Sequence, residues 1–119
     1  MKNQSFVERL RFALTGLRHA AHAEKSVRIQ IVVFILVLVA MAFLRPGLAW
    51  WALVLLASAG VLSAELLNTA VEHLADHLHP EIHPSIRIVK DCAAAAVLVA
   101  VLGAVAVGIA LAVHVLLTK

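Results

Sequence analysis

The sequence predicts an all-α membrane protein in which an N-terminal amphipathic surface helix precedes three transmembrane helices. Of its 119 residues, 63% are hydrophobic and only 14% are charged, against roughly 25% charged residues in an ordinary soluble domain. A soluble fold of this length would leave about a third of the chain's surface exposed to water, which is too much for so apolar a composition. The length allows about one domain, and we treat residues 1–119 as one.

Three stretches contain no Asp, Glu, Lys or Arg: residues 29–44, 46–64 and 92–118. A helix needs about 20 residues to cross roughly 30 Å of hydrocarbon, and the second and third stretches reach that length. The first is shorter, but Arg28 and Arg45 at its ends can extend their charged groups toward the lipid headgroups. We therefore predict spans at residues 28–45, 48–72 (with a cytoplasmic extension) and 88–117, and a tight hairpin between the first two.

Residues 5–24 are predicted to form a helix that lies on the membrane surface. Ser5 and Glu8 have the spacing of a capping box. Apolar residues from Phe6 to Ala21 recur at helical intervals, and basic residues occupy other directions, a pattern typical of interfacial helices. A soluble amphipathic helix packed on a loop is the alternative.

The basic residues indicate the orientation of the spans. Six of the ten Lys and Arg residues precede the first apolar run, and Arg87 and Lys90 lie in the second polar segment. With a cytoplasmic N-terminus, eight basic residues face the cytoplasm and only Arg45 and Lys119 face the other side, which satisfies the positive-inside rule. Such basic flanks serve topology and lipid headgroups, so we expect no nucleic acid among the partners.

The most informative polar residues lie at the end of the second span. Glu65, Asn68 and Glu72 are three and then four positions apart, so on a helix they share one face, which Asp76 continues. Glu65 follows a long uncharged stretch and is predicted at or just inside the membrane boundary, where ionisable residues are usually functional. The alternative is a helix that leaves the membrane and simply becomes polar.

Charged residues from the other segments are predicted at the same depth: Glu24 before the first span, and Lys90 and Asp91 at the entrance of the third. Carboxylates suit Mg²⁺, which takes one or two of them together with substrate phosphates, and a lysine suits a phosphate chain. Such a set is consistent with phosphoryl transfer, in which positioning and charge neutralisation supply most of the catalysis. The five glycines form no nucleotide-binding motif, so the residues alone allow this chemistry without requiring it.

Two other classes of function stay open on these residues. His73 and His77 are four positions apart, and His79 and His83 follow, so a metal or proton transporter with a transition-metal site is one alternative. Every formal charge lies at the end of a span, however, whereas a transporter is expected to place one at mid-bilayer. A structural assembly without catalysis is the other alternative.

Small residues recur at every fourth position of the third span: Ala96, Ala100, Ala104, Gly108 and Ala112. Such a ridge lets membrane helices approach closely, either within one subunit or between subunits. Three spans are too few to enclose a polar site, so we expect a homo-oligomer.

The run Glu65-Leu66-Leu67-Asn68-Thr69-Ala70-Val71-Glu72, followed downstream by Lys90-Asp91, resembles the signature of the bacterial integral-membrane diacylglycerol kinases. Gly16-Leu17-Arg18 with Glu24 after it, the chain's size, its number of spans and its surface helix extend the resemblance over nearly the whole sequence. The resemblance implies an ATP- and Mg²⁺-dependent lipid kinase that works as a homotrimer, with active sites between subunits. It also implies a location in the bacterial cytoplasmic (inner) membrane.

The resemblance further implies a role for each matching residue. Glu65 would be the catalytic base that takes the proton from the lipid hydroxyl, and it would contact the lipid. Glu24 and Glu72 would hold Mg²⁺, while Arg18 and the surface helix would frame the lipid entrance. The nucleotide pocket would be lined by Phe12, Glu24, Asn68, Glu72, Glu81, His83, Lys90 and Asp91.

Departures from the enterobacterial pattern concern the acceptor lipid. Gln30 stands where that type has a second glutamate, and Ala94 replaces a serine. His83-Pro84 and residues 24–29 look closer to the undecaprenol kinase branch. Both branches phosphorylate a lipid alcohol, so the expected reaction type is the same for either. We expect diacylglycerol as the acceptor and keep undecaprenol as the alternative.

Overall fold

The computed structural model describes residues 3–118, which form four helices and no strand. They are α1 (Phe6–Ala23), α2 (Lys25–Leu44), α3 (Leu48–Leu78) and α4 (Pro84–Leu117). The last three are each long and apolar enough to cross a membrane, and α1 is separate from them, so the predicted all-α membrane fold is confirmed. Lys2 and Lys119, two of the residues behind the predicted orientation, lie outside the described residues.

A local sequence signal sets the start of α1. The Ser5 hydroxyl accepts a hydrogen bond from the Glu8 backbone N–H at 3.2 Å, which satisfies a free donor of the first turn. The helix ends at Ala23 because Glu24 is extended (φ −117°, ψ 120°). Apolar side chains such as Phe6 and Leu10 remain exposed, as expected for a helix whose apolar face lies against a membrane.

Only three residues separate α2 from α3. Arg45 adopts a left-handed conformation (φ 49°, ψ 54°), and its N–H bonds to the Met41 carbonyl, an arrangement that helices usually give to glycine. Pro46 disfavours the helical conformation at the residue before it, so α2 cannot continue through Arg45. Gly47 is extended and begins α3 as its N-cap.

The three long helices meet near this turn. Met41, Val54 and Leu111, one from each helix, form a buried cluster against which Trp50 packs. The ring centroids of Trp50 and His114 are 5.2 Å apart. The end of α4 therefore returns to the start of α3, and the two helices are antiparallel.

At the opposite end, α3 and α4 are joined by residues 79–83 alone. α3 continues past Glu72 to Leu78, and α4 begins at Pro84, four residues before the expected start of the third span. The His83 ring caps α4 by accepting a hydrogen bond from the Ser85 backbone N–H at 3.1 Å. Pro84 takes the first helical position, where no backbone N–H is needed.

The small-residue ridge of α4 does not form a continuous contact within the chain. Ala100 and Ala104 are half-buried, but Ala96, Gly108 and Ala112 are exposed. A step of four residues overshoots a full helical turn by about 40°, so the ridge winds around the helix and leaves the packed face. Val107, Leu111 and Val115 contact the other helices instead.

Candidate active site

α3 carries a buried carboxylate along an otherwise apolar row. Glu65 is 5% exposed and Thr69 is 7% exposed, and they are the two buried polar residues of the described chain. They continue the row of Val54 and Val61, which are also buried. Because a carboxylate loses much favourable solvation on burial, this position marks Glu65 as a candidate functional group.

Asn68 and Glu72 lie one helical turn apart and contact each other. The Asn68 Nδ2 donates a hydrogen bond to the Glu72 Oε1 at 3.4 Å. The Asn68 Oδ1 is shielded from solvent and has no donor among the described residues. Asn68 also lines a cavity of about 330 Å³ between α3 and α4. Buried polar atoms are normally satisfied, so this oxygen is available to a ligand that donates a hydrogen bond or carries positive charge.

Glu24 occupies the corner between α1 and α2. It is half-buried, and its carboxylate makes no capping hydrogen bond to α2. The His19 and His73 rings meet edge to face with centroids 5.6 Å apart. This contact places the last turns of α1 beside the part of α3 that carries Glu72. Because Glu24 directly follows α1, it lies at the same end of α3 as Glu72.

Lys90 and Asp91 are both engaged in ion pairs. The Lys90 Nζ lies 2.5 Å from the Asp76 Oδ1, and this pair joins α4 to α3. Asp91 pairs with Arg87 one turn earlier on α4, at 3.2 Å from Nε to Oδ1. The second pair is exposed and local, so it contributes little to stability, whereas the first fixes the position of Lys90 relative to α3.

Four other predicted site residues lie apart from this group. Phe12 and Arg18 are exposed on α1, and Glu81 is exposed in the loop. His83 is used as the cap of α4. Within residues 3–118, none of the four has a hydrogen bond or ion pair to residues 65–72.

The loop histidines are held by backbone groups. The His79 Nδ1 bonds to the Glu81 carbonyl at 3.0 Å, and the His83 Nδ1 is occupied by the Ser85 N–H. In the described part of the chain, no three or more His, Cys, Asp or Glu residues are arranged to hold a metal ion. The transition-metal interpretation therefore has no support in the geometry.

Mg²⁺ makes a different demand on the protein. It takes only one or two carboxylates and fills the rest of its shell with water and phosphate oxygens. Glu24 has no capping bond and Glu72 has one long hydrogen bond. Asn68 adds an amide oxygen without a donor. These hard oxygen donors fit Mg²⁺.

An apolar groove of about 610 Å³ lies between α2, α3 and α4. It extends from Leu44, next to the hairpin turn, to Gln30 near the start of α2. Gln30 and Ser58 supply the polar side chains of its lining. An apolar cleft with a few polar groups is typical of ligand sites, and this lining suits a hydrocarbon chain.

Three residues of this region were not predicted from the sequence as part of the site. The Arg28 Nη1 donates hydrogen bonds to the carbonyls of Ala21 at 3.0 Å and His22 at 2.8 Å. Asp76 holds Lys90, and Thr69 is buried beside Glu65. Spacing along one helix identifies neighbours three or four positions apart, so it could have identified Thr69 as a neighbour of Glu65, but it gives no signal for the contacts that Arg28 and Asp76 make with other helices.

This fold and site define an integral-membrane α-helical protein with a carboxylate-rich site on its central span. A family model described as prokaryotic diacylglycerol kinase matches residues 11–112. The diacylglycerol kinase of Synechocystis sp. is 36% identical over 99 residues, which are 82% of this chain and 57% of that protein. The chain belongs to the prokaryotic diacylglycerol kinase family, as the resemblance predicts, and it spans a little over half the length of this relative.

Proposed function

We propose that the chain is an ATP-dependent lipid kinase that phosphorylates a membrane lipid alcohol, with diacylglycerol as acceptor and phosphatidic acid as product. The observation that carries this proposal is the buried Glu65 carboxylate, one turn before the Asn68–Glu72 pair on a membrane helix. The family match and the relative's name support it. A base at this place reaches the hydroxyl of a lipid that stays in the membrane.

In the proposed reaction, Glu65 accepts the hydroxyl proton while the lipid oxygen attacks the γ-phosphorus of ATP. A new P–O bond forms, and the bond between the γ-phosphorus and ADP breaks. Asn68 and Lys90 bind the nucleotide, and Asp76 holds the Lys90 ammonium in place. Phe12, Glu81, His83 and Asp91 complete the nucleotide pocket, while Arg18 frames the lipid entrance.

Glu24 and Glu72 are the proposed Mg²⁺ ligands. When bound, the ion neutralises charge on the phosphates of ATP, which favours phosphoryl transfer. Their side chains come from α1–α2 and from α3, so the relative placement of these helices controls the metal site.

We further propose a homotrimer in the bacterial cytoplasmic membrane, with the N-terminus in the cytoplasm and active sites between subunits. The charge distribution supports the orientation. Phe12 and Arg18, which lie apart from Glu65 in a single chain, are consistent with a site that a second subunit completes. Native mass spectrometry of the detergent-solubilised protein tests the stoichiometry, and a monomer would contradict it.

Undecaprenol is the second candidate acceptor. Gln30 favours it, because this neutral amide lies at the polar end of the apolar groove, where the enterobacterial pattern has a glutamate. Both acceptors offer a hydroxyl attached to long hydrocarbon chains, so the groove accommodates the chemistry of either.

The test is a kinase assay with radiolabelled ATP, Mg²⁺, the detergent-solubilised protein and a panel of lipid alcohols. Label on diacylglycerol is the expected result. Label on undecaprenol alone would show that the protein is an undecaprenol kinase. Label on no lipid would contradict the proposed kinase activity.

A further inference from the structure

We infer that Arg28 is a positioning residue that locks the corner between α1 and α2 and thereby holds the Glu24 carboxylate in the site. The role of Glu24 in this inference rests on the proposed function. The corner itself rests on contacts within the chain.

Arg28 caps the end of α1 from outside that helix. The last carbonyls of a helix have no partner within it and carry the negative end of its dipole. The Arg28 Nη1 donates to two of these carbonyls, those of Ala21 and His22, at 3.0 and 2.8 Å. A guanidinium suits this task because it is always charged and its donors have fixed directions.

Apolar packing closes the same corner from inside. Ala20 is 3% exposed, and Val27 is completely buried. The Glu24 N–H bonds to the Ala20 carbonyl, and the Arg28 N–H bonds to the Glu24 carbonyl. Glu24 is therefore held between two ordered turns, and the Arg28 side chain closes the polar side of the bend.

Arg28 does not form an ion pair with Glu24 among the described residues. The two residues are four positions apart, a spacing at which glutamate and arginine often pair on a helix. Among the described residues, however, the ion pairs are Arg87–Asp91 and Lys90–Asp76. The Arg28 guanidinium donates its hydrogen bonds to backbone carbonyls and not to Glu24. It therefore orders the backbone around Glu24 without forming an ion pair with the carboxylate.

Loss of Arg28 should therefore loosen the corner and weaken metal binding without removing a ligand. Residues that orient metal ligands typically change metal affinity by about 10- to 100-fold when they are replaced. Because Arg28 is exposed, we expect the lower end of that range, about tenfold.

The experiment compares Arg28→Gln with Lys25→Gln. Lys25 is exposed at the same corner, and among the described residues its side chain makes no hydrogen bond or ion pair, so this control removes only a positive charge. Hydrogen–deuterium exchange of peptides covering residues 17–30 reports on the corner in the full-length protein. The Mg²⁺ concentration for half-maximal lipid phosphorylation reports on the site. Arg28→Gln should speed exchange and raise this concentration about tenfold, Arg28→Lys should lie between it and wild type, and Lys25→Gln should match wild type.

The two readouts separate the possible failures. If wild-type protein phosphorylates no lipid, the proposed function fails, and the exchange measurement still decides whether Arg28 locks the corner. If the exchange rate of these peptides is unchanged in Arg28→Gln, or rises equally in Lys25→Gln, Arg28 does not stabilise the corner between α1 and α2. If exchange is faster in Arg28→Gln but the Mg²⁺ concentration for half-maximal activity is unchanged, Arg28 does not position Glu24 for metal binding. If Arg28→Gln does not fold, the same outcomes apply to Arg28→Lys.

Discussion

Glu65 is the residue on which the proposed chemistry depends most. It interrupts an apolar row that begins with Val54 and Val61, and it is buried within that row. Helix geometry predicts that Glu65 shares a face with Asn68 and Glu72, but the sequence does not show that it is shielded by the rest of the chain. A carboxylate loses favourable solvation on burial, and ionisable residues buried in membrane helices usually belong to functional sites.

Replacing Glu65 by Gln tests this role. Glutamine keeps the size of the side chain but cannot accept the proton, so turnover should fall about 10²- to 10⁴-fold. Nucleotide affinity, measured with a non-hydrolysable ATP analogue, should stay close to wild type. Glu8→Gln is the matched control, because Glu8 is exposed on the first turn of α1. Near-normal turnover of Glu65→Gln would remove Glu65 as the base.

Glu72 is expected to act differently, through Mg²⁺. Glu72→Gln keeps an oxygen that accepts from Asn68 Nδ2 but loses the negative charge that attracts the cation. We expect the Mg²⁺ titration of lipid phosphorylation to shift to about tenfold or more higher concentration, with partial recovery of the rate at high Mg²⁺. A titration curve that overlays wild type would contradict the metal role of Glu72.

At the scale of the helices, the Asp76–Lys90 pair connects the ends of α3 and α4 next to the loop. Only residues 79–83 join these helices, so the pair and the cap by His83 set how α4 leaves the turn. Lys90 is half-buried while Asp76 is exposed, so the pair serves placement of the ammonium more than stability.

Asp76→Asn should therefore raise the KM for ATP while leaving the apparent affinity for lipid near wild type. The rise should be several-fold, consistent with the roughly 1 kcal/mol expected of a partly exposed pair. A double-mutant cycle with Lys90→Gln checks the cause, because residues that act as a pair give non-additive effects. Additive effects on the KM for ATP would show that Asp76 acts independently of Lys90.

The ends of the helices show what the sequence could and could not predict. The cap at Ser5 and the break at Arg45-Pro46-Gly47 follow from local chemistry, and both appear at those positions. Charged residues between 73 and 91 suggested a longer polar loop, yet His83 and Pro84 start α4 early. Hydropathy marks the membrane boundary, whereas caps mark the helix boundary, and the two differ here.

Contacts between helices were beyond the reach of sequence spacing. Arg28 reaches back to Ala21 and His22, and Lys90 pairs with a residue 14 positions earlier. The ridge of α4 is a different case, because helix geometry alone shows that an exact four-residue repeat does not stay on one face of a straight helix. The shared helix face of Glu65, Asn68 and Glu72 could be predicted from spacing, and the contacts that Arg28 and Asp76 make could not.

At the scale of the whole molecule, the apolar surface of α2, α3 and α4 is mostly exposed within a single chain. Lipid and neighbouring membrane helices can cover such a surface, so the chain needs no larger core of its own. The buried cluster at Met41, Val54 and Leu111 holds one end of the three helices together. The opposite end carries the Asn68–Glu72 hydrogen bond, the Asp76–Lys90 ion pair and the loop that joins α3 to α4.

The proposed activity of this chain is the transfer of a phosphoryl group from ATP to the hydroxyl of a membrane lipid. The most direct test places purified protein in vesicles that contain diacylglycerol, adds ATP labelled at the γ-phosphate with Mg²⁺, and measures label in the extracted lipid. We predict label in phosphatidic acid with wild-type protein, and almost none with Glu65→Gln or after chelation of Mg²⁺. If the label is found only in ATP and inorganic phosphate, both with diacylglycerol vesicles and with undecaprenol vesicles, the proposed activity is contradicted.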